Sequence, residues 1–271
     1  MNVLRTIAQM RDEVRRLRNH QRIGLVPTMG ALHDGHVALF RAARRGCDHV
    51  VATIFVNPGQ FNDPADLAAY PRQETRDQDT ARSAGIDSLF VPPVDEIYPA
   101  GDATSLVVQG AAVGFEGQFR PGHFNSVATV CVKLFNITQP HVAFFGQKDA
   151  QQLAVIRQTV RDLRLDLEIQ AVPTVREADG LAMSSRNVRL TPADRLRALA
   201  LPRALAEGLS AYRAGQDPAV AAAAALDELQ VDYAGVASFD GQPTLVIAAR
   251  AGSTRLIDNV PLDHPELAGL R

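Results

Sequence analysis

The chain has 271 residues, 46% hydrophobic and 21% charged, which excludes wholesale disorder and fits one large or two modest domains of about 150 residues. Lys+Arg is 28 and Asp+Glu is 30, a formal net charge of -2, so general nucleic-acid binding is disfavoured while local basic pockets stay open. Cys47 and Cys131 form neither a disulfide framework nor a metal-type pair and read as reduced thiols of a cytoplasmic protein. No apolar run approaches the ~18–20 residues of a membrane span, and residues 1–18 alternate apolar and charged positions, without the apolar centre of a signal peptide.

In chain order, residues 23–26 are a short apolar strand ending at Pro27, and a helix follows over about 35–45. Residues 50–56 read as a buried strand stopped by Asn57-Pro58-Gly59. A polar helix spans 72–84, a strand 88–91, and a short apolar run 105–108. Residues 124–137 place apolar side chains at helical spacing; a strand over 141–145, a helix over 150–163 and a strand over 165–172 follow. The alternation predicts an α/β fold, a mostly parallel sheet with helices on both faces. Past Pro173 the character changes. Thr191-Pro192-Ala193-Asp194 starts a helix that runs toward Gly208 and that Pro202 kinks. Asp217-Pro218 starts an Ala-rich helix, and 244–249 and 254–257 read as short strands. Two domains are expected, 1–173 and a smaller α+β unit over 174–271.

The first chemical constellation is residues 27–36, PTMGALHDGH, between the first strand and the first helix. In open α/β sheets ligands bind at carboxyl ends of strands, and an exposed helix N-terminus suits phosphate. His33 and His36 there supply donors where charge builds on a transferring phosphoryl group, and Gly30 and Gly35 let the backbone approach a ligand. A zinc site lacks a third Cys or His at ligand spacing. The second is Met183-Ser184-Ser185-Arg186, preceded by Arg176-Glu177-Ala178-Asp179-Gly180: a planar guanidinium and two small hydroxyls make a phosphate clamp. The third, Phe145-Gly146-Gln147-Lys148-Asp149, puts an ammonium at a strand end and a capping Asp before a helix. The remaining two are Phe119-Arg120-Pro121-Gly122-His123-Phe124 and Asn57-Pro58-Gly59-Gln60-Phe61.

Together these segments resemble the pantothenate synthetases (pantoate–β-alanine ligases). The resemblance also runs through YPR (70–72), KLFNITQP (133–140) and TRLIDN (254–259), so that eight segments stand in the family's order along almost the whole chain. The HxGH element alone is shared with the wider nucleotidyltransferase superfamily. The resemblance implies an ATP-dependent condensation of (R)-pantoate with β-alanine through pantoyl adenylate, with magnesium accompanying ATP. It implies a Rossmann-like catalytic domain, a smaller C-terminal lid and a homodimer. It places Met29, Gly30, Ala31, Leu32, His33, Asp34, Gly35 and His36 at ATP, joined by Gly146, Gln147, Lys148, Asp149, Val175, Met183, Ser184, Ser185 and Arg186. Catalysis falls to His36, His33, Lys148 and Arg186; pantoate and β-alanine to Gln60, Gln152, Tyr70, Arg120 and His123; and Asp77 becomes a metal-adjacent carboxylate.

The chain departs from the family pattern at Gly59, where Leu or Thr is expected, and at Ser126, where Gly is frequent. Gln147 replaces a frequent Glu. Residues 231–242 are shorter than usual and lack the expected turn, which puts C-terminal packing in question. Two other readings are weighed. A different HxGH nucleotidyltransferase is disfavoured by Gln60 and Gln152, and an RNA-binding regulatory module by the near-zero net charge.

Overall fold

The computed structural model describes residues 1–263, so the last eight residues of the expected C-terminal domain lie outside the described part. The chain divides into two compact units, one of residues 1–146 and 152–172, the other of residues 147–151 and the segment from Pro173 onward.

The first unit is built on β1 (Asn2–Leu4), β2 (Ile23–Val26), β3 (His49–Thr53), β4 (Ser88–Phe90), β5 (Val142–Gly146) and β6 (Glu168–Val172), in the order β1-β4-β3-β2-β5-β6. Every pairing is parallel. The middle strands are buried along nearly their whole length, as a sheet covered on both faces requires, whereas β6 at one edge alternates. The helices are α1 (Ile7–Leu17), α2 (Asp34–Gly46), α3 (Pro64–Ala68), α4 (Glu74–Ser83), α5 (Val94–Ile97), α6 (Phe115–Phe119), α7 (His123–Thr138) and α8 (Ala150–Asp162). One core layer joins Met10 and Val14 of α1 to Val127, Leu134 and Phe135 of α7; the other packs Phe40 and Ala43 of α2 on Val50 and Phe144. From β2 the chain builds outward through β3 and β4, then returns to build the other side with β5 and β6. The reversal falls between β2 and β5, the place where such sheets bind ligands.

Both free cysteines are buried. Cys47 fills the space over Gly24 of β2, where a Cβ would stand 2.7 Å from its Sγ. Burial pushes the Cys131 thiol up to about 12.

Several elements differ from the sequence reading. β3 ends at Thr53 rather than Val56, although the Ile54 amide still donates to the Phe90 carbonyl at the end of β4 and the Phe55 amide to the Thr28 carbonyl. Residues 105–108 form no strand: the Leu106 and Val108 amides donate to the Thr129 and Asn125 side chains on α7.

The second unit holds α9 (Pro192–Ala198), α10 (Ala200–Arg213), α11 (Pro218–Ala224) and an antiparallel sheet of β7 (Gln230–Phe239), β8 (Gln242–Ala251) and β9 (Thr254–Pro261). The helix start at Thr191 is real, its hydroxyl accepting from the Asp194 amide. The expected single helix is interrupted at Leu199, however, and Pro202 sits in the first turn of α10, where a missing N–H costs nothing. Asp217 caps α11 as read. Gly208 admits α10 against β8; a Cβ there would meet Leu245 at 2.4 Å. Residues 231–242 fold as strand and turn: Asp240 and Gly241, both at positive φ, close the β7–β8 hairpin, and Gly252-Ser253 closes the next.

Candidate active site

The first constellation forms the loop from β2 into α2. Thr28 anchors it to β3, its amide donating to the Thr53 hydroxyl and its hydroxyl to the Thr53 carbonyl. Gly30 and Ala31 then take positive φ, 81° and 53°. The turn is held by Asp77 of α4, whose two carboxylate oxygens accept the Ala31 amide at 2.9 Å and the Leu32 amide at 2.8 Å. A Cβ on residue 30 would lie 2.9 Å from one of those oxygens, so the glycine is required by contact as well as by φ. Asp77 is 2% exposed. Read from sequence as metal-adjacent, it spends both oxygens on this loop's backbone.

The histidines cap α2. The His33 Nδ1 accepts from the Gly35 amide at 3.1 Å, and the His36 Nδ1 accepts from the His33 amide at 3.3 Å, a capping box made of imidazoles. The rings stand 4.1 Å apart. With both Nδ1 atoms accepting, the proton of each neutral ring is on Nε2. Asp34 opens the helix and is exposed. Met29 and Asp77 also border a cavity of about 380 Å³ with apolar walls at Ile54, Phe55, Leu67 and Pro92.

A second cluster surrounds Gln60. The Asn57 amide donates to the Gln60 Oε1 at 3.0 Å, so the donor capacity of the Gln60 side chain rests on its NH₂. The Gln60 main-chain carbonyl lies 3.0 Å from an Arg120 guanidinium nitrogen and 3.1 Å from the His123 Nδ1. Arg120 and His123 thus grip the backbone of Gln60. Tyr70 is buried and packs edge-on to Phe61, with ring centroids 5.6 Å apart. Gln152 lies in α8 of the same unit.

Gln147, Lys148 and Asp149 form a short 3₁₀ turn directly after Gly146, and belong with the second unit. The Lys148 ammonium lies 3.7 Å from Asp149. Val175 and Met183 face each other across a tight reversal, the Met183 amide donating to the Val175 carbonyl. Arg176 ties this reversal to the Gly180 carbonyl and to buried Asp258. Glu177 is held below the usual carboxylate range by hydrogen bonds from Arg195 and Asn187. Ser184 turns the chain toward Arg186, its hydroxyl accepting the Arg186 amide at 3.2 Å; Ser185 lies within the turn.

Within the first unit the structure therefore brings together residues 28–36 with Asp77, and Gln60 with Arg120 and His123. Within the second it joins Val175, Met183 and Ser184–Arg186 in one loop and sets Lys148 on a turn of its own. Sequence reasoning missed Asn57 as the partner of Gln60, although both stand in one five-residue motif, and Asn259, whose partners lie more than a hundred residues away.

Comparison with known proteins gives the family. The sequence pattern of the family described as Pantoate-beta-alanine ligase matches residues 2–261. A pantothenate synthetase of Moorella thermoacetica is 48% identical over 280 residues, covering 97% of this chain and 99% of that one. Its counterpart from Rhizorhabdus wittichii is 49% identical with the same coverage. The crystal structure of pantothenate synthetase from Thermus thermophilus superposes with a TM-score of 0.91 at 42% identity, covering 97% and 99% of the two chains. A pantoate-beta-alanine ligase from Francisella tularensis, solved with beta-gamma ATP and beta-alanine, gives 0.82 at 34% identity over 97% and 98%. On sequence and fold alike, the chain belongs to the pantoate-beta-alanine ligase family.

Proposed function

We propose that the chain condenses pantoate with β-alanine at the expense of ATP, through an enzyme-bound pantoyl adenylate. A pantoate carboxylate oxygen attacks the α-phosphorus in line; the bond to the bridging oxygen breaks and pyrophosphate leaves with the electron pair. The β-alanine amine, its ammonium proton lost, then attacks the acyl carbon, and AMP leaves. The observation that carries the reading is the histidine pair capping α2 at the carboxyl end of β2, in a chain matched to the family over residues 2–261.

A carboxylate is a poor electrophile, and adenylation supplies it with a good leaving group. The first step has little covalent chemistry for side chains to perform, so catalysis rests on positioning and charge neutralisation. His36 and His33 donate from Nε2 to oxygens of the phosphates, and Lys148 and Arg186 neutralise the charge that pyrophosphate carries away. Ser184 and Ser185 add hydroxyl donors, and Gly146 to Asp149 with Val175 border the nucleoside. The Gln60 amide, its oxygen occupied by Asn57, donates to pantoate together with Gln152, and Tyr70 closes the same pocket. Magnesium enters with its substrate as MgATP, ligated mainly by phosphate oxygens and water. The working form is a cytoplasmic homodimer, as the family resemblance implies; sedimentation of the purified protein tests the dimer.

The test of the reaction is direct. Purified protein with ATP, Mg²⁺, pantoate and β-alanine should yield AMP and pantothenate. Turnover with another acid and none with pantoate would refute the reading.

A further inference from the structure

Strand β9 carries two successive polar residues that are almost fully buried, Asp258 at 2% exposure and Asn259 at 6%. Successive residues of a strand face opposite sides of the sheet. Asp258 lies on the face of Leu256 and Val260, in the core shared with α9 and α10. There it accepts two guanidinium nitrogens of Arg176, at 2.6 and 3.1 Å. Arg176 in turn donates to the Gly180 carbonyl, so the ion pair closes the reversal that leads into Ser184, Ser185 and Arg186. Asn259 faces the other way. Its amide nitrogen donates to the main-chain carbonyls of Gln147 at 2.9 Å and Lys148 at 2.8 Å. An amide NH₂ has two hydrogens, and both are committed to consecutive carbonyls of one turn.

We propose that Asp258 and Asn259 are positioning residues for the adenylation step: Asn259 sets the main chain of Lys148, and Asp258 sets, through Arg176, the loop that carries Arg186. This rests on the reading that Lys148 and Arg186 meet the phosphates. Neither residue of the pair touches a reacting atom. A lysine stem has four rotatable bonds, so the place of its ammonium depends on how firmly its backbone is held. The segment 147–149 is only a 3₁₀ turn and lacks a strand ladder of its own; the Asn259 amide supplies the missing anchorage. One strand thereby indexes two separate phosphate-facing segments to each other from its two faces.

The test is a double-mutant cycle on the intact protein, read as steady-state pyrophosphate release with ATP, pantoate and saturating β-alanine, with circular dichroism and melting as folding controls. Asn259→Ala should lower kcat about tenfold or more, and in the Lys148→Ala background should add less than about twofold, because the two act on one group. Asn259→Ser, which keeps one hydroxyl donor, should recover part of the loss at an unchanged fold. Asp258→Asn should behave likewise against Arg186→Ala. Silent Asn259→Ala, or losses that multiply independently of Lys148→Ala, would overturn the proposal while leaving the catalytic reading intact. Near-normal release by Lys148→Ala would instead overturn the catalytic reading, and the positioning role with it.

Discussion

Gly59 and Ser126 share one space. A Cβ built on residue 59 would stand 2.9 Å from the Ser126 Oγ and 3.3 Å from its Cβ. These are the two positions read from sequence in this region as departures from the family pattern, and the space a side chain on residue 59 would need is taken by that of Ser126. Asn57 ties the pair to Gln60, since it binds both the Gln60 side chain and the Ser126 carbonyl. Gly59→Leu alone should destabilise the protein by about 1–3 kcal/mol, the usual scale of overpacking. Gly59→Leu with Ser126→Gly should recover most of it. Urea unfolding of the two variants measures the coupling, and a double variant no more stable than Gly59→Leu would show that the residues do not compensate.

The loop of residues 28–33 should be intolerant at Gly30 and Asp77. Asp77→Ala strands the Ala31 and Leu32 amides, and a buried unpaired donor costs about 1–3 kcal/mol. We expect a lower melting temperature and a raised KM for ATP. Asp77→Asn should fare little better, because one of its two positions would present N–H to N–H. Gly30→Ala meets both the Asp77 oxygen and Ile54, at 2.9 and 3.0 Å, from a backbone at φ 81°. An unchanged ATP KM in all three variants would count against the loop as part of the nucleotide site.

His36→Ala and Lys148→Ala should each lose on the order of 10²–10³ in kcat, the scale of removing one preorganised charge-stabilising donor. Gln60→Ala should raise the KM for pantoate more than that for ATP, because the proposed role of its amide serves one substrate. Steady-state kinetics with each substrate varied separates the two. Equal effects of Gln60→Ala on both constants would assign that residue to structure.

Acid should weaken the first unit in two stages. At the far end of the sheet from α2's N-terminus, Glu13 of α1 accepts from the Ser88 hydroxyl at 2.7 Å and the Asn2 amide at 3.0 Å, and His49 lies 3.0 Å from the same hydroxyl. Burial holds His49 below its ordinary 6.5 and Arg44 adds to that, against the pull of Asp87 and Glu13. Glu13 is held below its ordinary 4.5: burial would raise it, but Ser88, Asn2, His49 and Arg16 together prevail. Both groups bind protons more readily when unfolded. Stability from His49 is therefore complete above about 6.5 and declines as pH falls below it; that from Glu13 declines below about 4.5. His49→Gln should flatten the upper stage alone. Denaturant midpoints between pH 4 and 8 provide the check, and a slope unchanged in the variant would place the titration elsewhere.

The sheet was legible wherever burial on both faces wrote an apolar run, as in β2, β3 and β5, and the helices wherever a cap was spelled out, as at Thr191 and Asp217. β1 was not, because three residues on an edge make no run. α1 was missed although Thr6 and Gln9 form a capping box and Ile7, Met10, Val14 and Leu17 keep helical spacing. The β7–β8 hairpin was missed although Asp240-Gly241 is the standard signal for a two-residue turn. At the site, contiguous motifs such as residues 27–36 could be read because local spacing places both histidines on one cap. The hold of Asp77 on that loop spans 45 residues and that of Asn259 on Lys148 spans 111, and such pairings exist only once the chain has folded.

The allocation of residues 147–151 to the second unit bears on how the protein can be taken apart. A cut at 172/173 looks natural, since the long continuous stretches of each unit end there. The C-terminal fragment so released would leave five of its own residues behind on the other piece. Asn259 would lose both carbonyls that its amide now binds, and the N-terminal piece would carry Lys148 without its anchor. The two units are thus modules of packing but not of sequence, and heritable exchange between relatives at that boundary would have to carry the 147–151 turn along with β9.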